Sequence, residues 1–376
     1  MRQVSKKIDN SYVVWFERSN RWIQFEEPAW YINKLYQKGD SIEIIENKFA
    51  ERYSFEKDEC SGIVKEIWNN IDEAFNTNIV LEDDLNAADF INNSNIEKFS
   101  LKRYLVNGKI IEIEYSSRLA EYYIHPPLAY LEIPKFSGVA DSSFHIIDQG
   151  EYKLIFQKDN ENTGWVYNDF MKLKKRLFIN MANTMYNKTT NNWLSFVHAS
   201  TLSNGEKAVL LSSPSGKGKS TLAALMQTRG LKVVSDDFVP IDVKLKRAFP
   251  FPAAISIKPG AFSIIKPYYK NISGFYFKET AEGIVHFIPP SKDEESDMRP
   301  LPVKEIIFIN YEPGVECRFN KLSITESLKL FHNQAWVSHE PEHARRFINW
   351  FVNLQFFSLT YGNVGKGMKK ISELLN

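Results

Sequence analysis

The sequence predicts an α/β protein, α+β over its whole length: a mixed sheet with flanking helices, preceded by a small unit of one β-hairpin and three helices. Three observations predict it. Apolar runs Lys207–Ser212 and Leu231–Ser235 alternate with a helical segment, Lys219–Arg229, which Gly230 closes; this is the strand–helix–strand order of a sheet with parallel strands. A Gly/Ser-rich turn joins the first run to the helix. The first 80 residues carry another pattern, and an Asn/Asp-rich linker, 81–99, sets them apart.

The elements follow in order. Tyr12–Phe16 and Trp22–Phe25 are β-rich runs around Ser19-Asn20, a hairpin signal. Pro28 suits the first turn of a helix that Gly39 stops. Ser41 is placed to cap a second helix, with Ile44, Ile45 and Phe49 at helical spacing. A third helix carries Ile63, Ile67, Ile71 and Phe75 on one face. From residue 100 the chain turns to strands. Asn107-Gly108 between two apolar runs is a type I′ turn signal, and further strands fall near Phe144–Ile147 and Tyr152–Phe156. Phe170, Leu173, Leu177 and Met181 share a helix face, and segments 248–258, 284–288 and 303–310 supply more strands. Residues 100–376 thus form one expected domain with a β-rich first part (100–190) and a helical C-terminus (322–376) with Phe347, Trp350, Phe351 and Leu354 on one face.

Composition bounds the function. A chain of 376 residues with 43% hydrophobic and 25% charged residues is globular, of about two to three domains. A formal net charge of +1 argues against a dedicated nucleic-acid binder. Two cysteines, Cys60 and Cys317, make no disulfide framework and no zinc signature. No apolar run reaches the length of a membrane span and the N-terminus has no signal-peptide pattern, so the expected setting is cytoplasmic.

The chemistry concentrates in Ser213-Pro214-Ser215-Gly216-Lys217-Gly218-Lys219-Ser220, followed by Thr221. Between a strand and a helix this reads as a P-loop. Gly216 and Gly218 let backbone amides approach a phosphate, and the helix N-terminus reinforces them. Lys219 would reach the β- and γ-phosphates of ATP, and Ser220 would offer its hydroxyl to Mg²⁺. Ser213 stands where the P-loop pattern has its first glycine, which strains the backbone only if φ is positive there. Asp236 and Asp237 end the next strand, where α/β sheets face their ligands; one carboxylate suits Mg²⁺ and the other a proton from an attacking hydroxyl. A solvated turn or helix cap would use the same residues. His198 lies in the short run Phe196–Ser200; a lone histidine there is more often a core residue than a catalyst.

The order of these motifs resembles the catalytic domain of HPr kinase/phosphorylase and its relatives. The resemblance rests on His198 fifteen residues before the loop and on Arg229-Gly-Leu-Lys-Val-Val-Ser-Asp-Asp237 after the loop helix. It implies an ATP- and Mg²⁺-dependent serine kinase in which Asp236 is the general base assisted by His198, Lys219 acts on the phosphates, and Asp237 with Ser220 serves the metal. Ile255–Gly260 is similar to a family strand ending in a basic residue and glycine, which makes Lys258 a candidate phosphate or acceptor contact; Arg299 is a second cationic candidate. The long C-terminal signature of the bifunctional HPr enzymes is not found, so neither HPr as acceptor nor phosphorolysis is implied. Residues 1–80 look like a PqqD-type peptide-recognition domain, which holds a peptide by adding it as a strand to the hairpin edge. A helical accessory or dimerisation module fits the same pattern.

The resulting expectation is a kinase for a serine or threonine hydroxyl of a peptide or protein, such as a ribosomally made peptide precursor, held by residues 1–80. It has no nucleic-acid or membrane partner, and a homo-oligomer is compatible with it. Two rivals stand beside it: a nucleotide-binding regulatory protein without phosphotransfer, and a small-molecule kinase.

Overall fold

The computed structural model describes residues 3–77, 98–134, 138–158, 164–291 and 298–375. The expected linker lies outside the described residues from 81 to 97. The described chain forms two compact units. One comprises 3–77 with Ile324–His332 and Val337–Val352; the other comprises 98–323 with Asn333–Trp336 and 353–375.

In the first unit, strands β1 (Gln3–Ile8), β2 (Ser11–Phe16) and β3 (Arg21–Glu26) form an antiparallel sheet in that order. Three helices follow: α1 (Glu27–Gln37), α2 (Ile42–Tyr53) and α3 (Lys57–Asn76). One sheet face buries Val14, Phe16 and Phe25 against Trp30, Ile32, Ile45, Val64, Ile71 and Phe75 of the helices. The other face, with Val4 and Trp15, packs on Ala344 of helix Pro341–Phe351. Trp22 meets Phe347 at a centroid distance of 5.6 Å, and Lys6 Nζ donates to Asn349 Oδ1 at 2.5 Å.

Three expectations are corrected here. The single hairpin is a three-stranded sheet, because Gln3–Ile8 pairs along β2; its polar sequence, QVSKKI, offers few apolar positions by which to read a strand. Ile63 is 58% exposed, since α3 is turned so that Cys60, Val64, Ile71 and Phe75 face inward. The C-terminus is not a helical end of the second unit: Ile324–His332 and Val337–Val352 join the first unit, and Gln355–Tyr361 is a strand. That strand continues the aromatic spacing of the preceding helix, which hid the change of element.

The second unit begins with β4 (Ser100–Val106), β5 (Lys109–Tyr115), β6 (Ser142–Gln149), β7 (Tyr152–Gln157) and β8 (Gly164–Tyr167), a five-stranded sheet in chain order. The Asn107-Gly108 turn has φ of 51° and 70°, as a type I′ turn requires. Helices α4 (Arg118–Ile124) and α5 (Phe170–Tyr186) accompany this sheet.

The main sheet uses β9 (Trp193–Val197), β10 (Ala199–Ser203), β11 (Ala208–Ser212), β12 (Lys232–Ser235), β13 (Val239–Asp242), β14 (Arg247–Ala248) and β18 (Leu301–Tyr311) in the order β12-β10-β11-β18-β14-β13-β9. The C-terminal strand, Gln355–Tyr361, pairs with β18 in parallel and with β19 (Cys317–Leu322) antiparallel. Strand β11 is also parallel to β18. Helix α6 (Lys219–Gln227) covers these strands, burying Leu222, Leu225 and Met226 among Val209, Leu211, Ile307, Ile309 and Leu359. A smaller sheet of β15 (Ile255–Ile257), β16 (Tyr276–Thr280) and β17 (Gly283–Ile288), in the order β15-β17-β16, completes the unit.

Candidate functional site

Parallel strands β11, β18 and the C-terminal strand all end at the same edge, as Ser212, Tyr311 and Tyr361. Ligands in open α/β sheets bind at that edge. The loop from Ser213 to Gly218 leaves β11 there and enters α6. Tyr311 N donates to Lys217 O at 3.0 Å, which ties the loop to the neighbouring strand. Gly218 has φ 94°, and a Cβ there would lie 3.0 Å from Tyr361 Oη and 3.1 Å from Tyr311 Cβ, so only glycine fits. Ser213 is buried and is not among the described residues with positive φ, so the missing first glycine brings no strain.

Antiparallel pairing explains why His198 and the aspartates arrive at the same place. In the β10–β11 pair Ala199 stands opposite Ser212, which sets His198 beside the start of the loop. In the β10–β12 pair Thr201 stands opposite Ser235, so Asp236 comes level with Ser200. Ser200 Oγ donates to Asp236 Oδ1 at 2.5 Å, Ser220 Oγ donates to the same oxygen at 3.2 Å, and Ser256 N approaches Oδ2 at 3.3 Å. Asp236 is 2% exposed. Burial, with the Asp237 charge adding to it, raises its carboxyl well above the usual carboxylate range.

Asp237 points the other way. It follows the strand end with φ 61°, a left-handed conformation a non-glycine residue adopts only under constraint, and its side chain is 48% exposed. His198 Nδ1 lies 3.3 Å from the Asp237 carbonyl and 3.6 Å from its Oδ1. Lys219 Nζ lies 3.1 Å from His198 Nε2, 3.3 Å from Ser213 O and 3.9 Å from Asp237 Oδ1. An ammonium can only donate, so Nε2 is the acceptor and Nδ1 carries the proton toward Asp237. Desolvation chiefly lowers the His198 pKa; Lys219 pushes the same way and Asp237 opposes it.

The expected His198–Asp236 pair is therefore corrected: the imidazole sits on Asp237 and Lys219, while Asp236 sits on Ser200 and Ser220. Both aspartates lie beyond the end of β12, and the left-handed backbone of Asp237, φ 61°, turns its side chain away from the partners of Asp236. Lys258 Nζ donates to Ser215 Oγ at 2.8 Å, which places it at the loop. Arg299 is exposed and is not among the residues lining the cavity described next.

These groups open into a cavity of about 1220 Å³. Ser215, Gly216, Gly218, Lys219, Ser220 and Thr221 line one side with His198, Asp236, Asp237 and Lys258. Facing residues come from α5 (Lys174, Lys175, Phe178) and from the β16–β17 hairpin (Lys278, Glu282, Phe287). Sequence reasoning missed Ser200, Lys174 and Lys278. Ser200 lies inside β10, where its hydroxyl reaches Asp236, and nothing in its local sequence marks it. The lysines carry no local signal.

The Ser220 hydroxyl and the Asp236 carboxylate, joined at one oxygen, are hard donors of the kind Mg²⁺ takes alongside phosphate oxygens. Among the described residues no group of three or more His, Cys, Asp or Glu residues is placed to hold a metal ion. No helix among the described residues is long and apolar enough to cross a membrane. No family model and no curated protein matches the chain.

Proposed function

We propose that the protein is an HPr-kinase-like, ATP- and Mg²⁺-dependent kinase of a serine or threonine hydroxyl on a peptide or protein, acting in the cytoplasm. One observation carries the reading. A P-loop lysine, an imidazole and an exposed carboxylate meet within 3.9 Å at the sheet edge, while a second, buried carboxylate bonds the P-loop serine. Nucleotide binding alone has no use for the first group.

The residues divide the work as their geometry suggests. Loop amides, Lys219 and Lys258 hold phosphate oxygens. Ser220 and Asp236 would hold Mg²⁺, which neutralises charge on the phosphates when bound. Asp237 takes the proton of the acceptor hydroxyl as the oxygen–phosphorus bond forms and the bond to the β-phosphate bridging oxygen breaks. His198 Nδ1–H braces Asp237, and neutral Nε2 accepts from Lys219, so the cation and the base keep fixed places. The roles expected for the two aspartates are thus exchanged.

The acceptor would be held by residues 1–80. Among the described residues β3 pairs only with β2, which leaves an antiparallel edge for strand addition.

The reading is tested with purified protein, radiolabelled ATP and a candidate precursor peptide. Label is expected on a serine or threonine of the peptide; nucleotide binding without transfer would instead support a regulatory protein. Gln24→Pro in β3 is expected to raise the peptide KM with Mg-ATP binding unchanged. An unchanged KM would remove the capture role and leave the kinase reading standing.

A further inference from the structure

Away from the loop the cavity is lined by cations, two of which form no ion pair among the described residues. Lys174, on α5, and Lys278, on β16, both line the cavity and make no ion pair among the described residues. Lys278 Nζ stands 4.5 Å from the centroid of the Tyr122 ring and 5.3 Å from that of Tyr123. Those rings hold the ammonium by its charge and leave its hydrogen-bonding donors unused. The mounting is rigid: Tyr122 Oη donates to Glu279 O on the same strand, and Tyr123 stacks on Phe170 at the start of α5, 5.1 Å between centroids.

The Asp237 charge acts on Lys174, and the Lys174 charge acts on Lys278, and all three residues line the one cavity. Desolvation lowers both pKa values, and the two cations repel each other. A partly buried cation pair of this kind is stabilised by an anion placed between its members.

We infer that Lys174 and Lys278 form an acceptor subsite for a carboxylate, and that the acceptor hydroxyl belongs to a residue flanked by an acidic side chain. This rests on the proposed kinase reading and adds the substrate class. With the hydroxyl against Asp237, a neighbouring carboxylate reaches toward Lys174 and Lys278, and the attacking oxygen is oriented from the side away from the P-loop. Without that carboxylate, the approaching acceptor leaves two desolvated cations unmatched.

The test uses the full chain and capped octapeptides with one serine flanked by glutamate, glutamine or lysine. Mg-ATP affinity is measured first with a fluorescent nucleotide; failure there refutes the kinase reading itself. With nucleotide binding established, both peptide binding and kcat/KM for phosphate transfer are measured. The glutamate peptide is expected to exceed the glutamine peptide by at least roughly tenfold, chiefly in KM, with the lysine peptide lowest. The double variant Lys174→Met, Lys278→Met keeps the aliphatic stems. It should erase the preference with Mg-ATP affinity and melting temperature unchanged, and Lys278→Arg alone should retain it. Equal handling of glutamate and glutamine by the native protein, a preference that survives in the double variant, or nucleotide binding with no binding of any peptide would each overturn the inference.

Discussion

The two walls of the cavity are built by opposite rules. The loop wall is local: His198, the loop and Asp237 fall within 39 residues and are brought together by neighbouring strands β10, β11 and β12. The far wall is assembled at long range: the hydrogen bond from Tyr122 to Glu279 spans 157 residues, and α4, α5 and β16 each bring one part. A local wall leaves a motif in the sequence. A long-range wall leaves only isolated lysines and tyrosines whose meeting depends on the whole unit. The comparison also separates two kinds of charge. Lys219 at the loop is 5% exposed yet bonded to His198 and the Ser213 carbonyl, whereas Lys278 lies over the Tyr122 ring and Lys174 lines the same cavity.

The sharpest way to break this contrast is Lys219→Ala. It should abolish phosphate transfer, by more than about 10³-fold, and weaken Mg-ATP binding. The melting temperature should change little, because His198, the side chain that loses its partner, is 40% exposed and can turn to water. Normal transfer by the folded variant would mean that the loop is not the phosphate wall.

The adjacent aspartates give the next effect. Asp237→Asn should lower kcat on the order of 10²–10⁴-fold with Mg-ATP affinity retained. Asp236→Asn should weaken the magnesium-dependent part of nucleotide binding. Titrations of nucleotide with and without Mg²⁺, beside single-turnover rates, would show the two phenotypes; the reverse pattern would return the roles to the assignment suggested by family resemblance.

The smallest effect probes the far wall. His125 lies beneath it, edge-on to Tyr276 of β16 at a centroid distance of 5.1 Å, with Nδ1 2.9 Å from Tyr104 Oη. Burial, aided by Lys102 and opposed by Glu132 and Glu121, lowers its pKa from 6.5 to about 4. The unfolded chain therefore takes up this proton at higher pH than the native protein does. The resulting stability is present above 6.5 and declines as pH falls toward about 4. Melting curves across that window should show the decline, and His125→Asn should flatten part of it. An identical pH profile in the variant would mean that His125 does not report on this wall.

Much of the second unit was legible. The type I′ turn at Asn107-Gly108, helices α5 and α6 and strands β11 and β12 each follow from a turn dipeptide or a periodic apolar face. Strand β1 was missed because its polar sequence resembles a tail. The C-terminal strand was missed because QFFSLTY continues an aromatic helix pattern. In the site, residue types and spacing placed Ser213–Ser220, Asp236 and Asp237 together, but could not say which aspartate His198 would meet.

By itself the sequence determined the loop chemistry: glycines at 216 and 218, a lysine and a serine at the helix start, and two carboxylates one strand later. Those are contacts between near neighbours in the chain, so composition and spacing carry them. Tertiary structure alone decided that Asp236 turns into the core toward Ser200 and Ser220 while Asp237, at φ 61°, turns out toward His198. It also decided that Lys174 and Lys278 face the same space. Side-chain direction at a strand end depends on register with partners the chain reaches later, and a wall made from α4, α5 and β16 exists only once all three are packed.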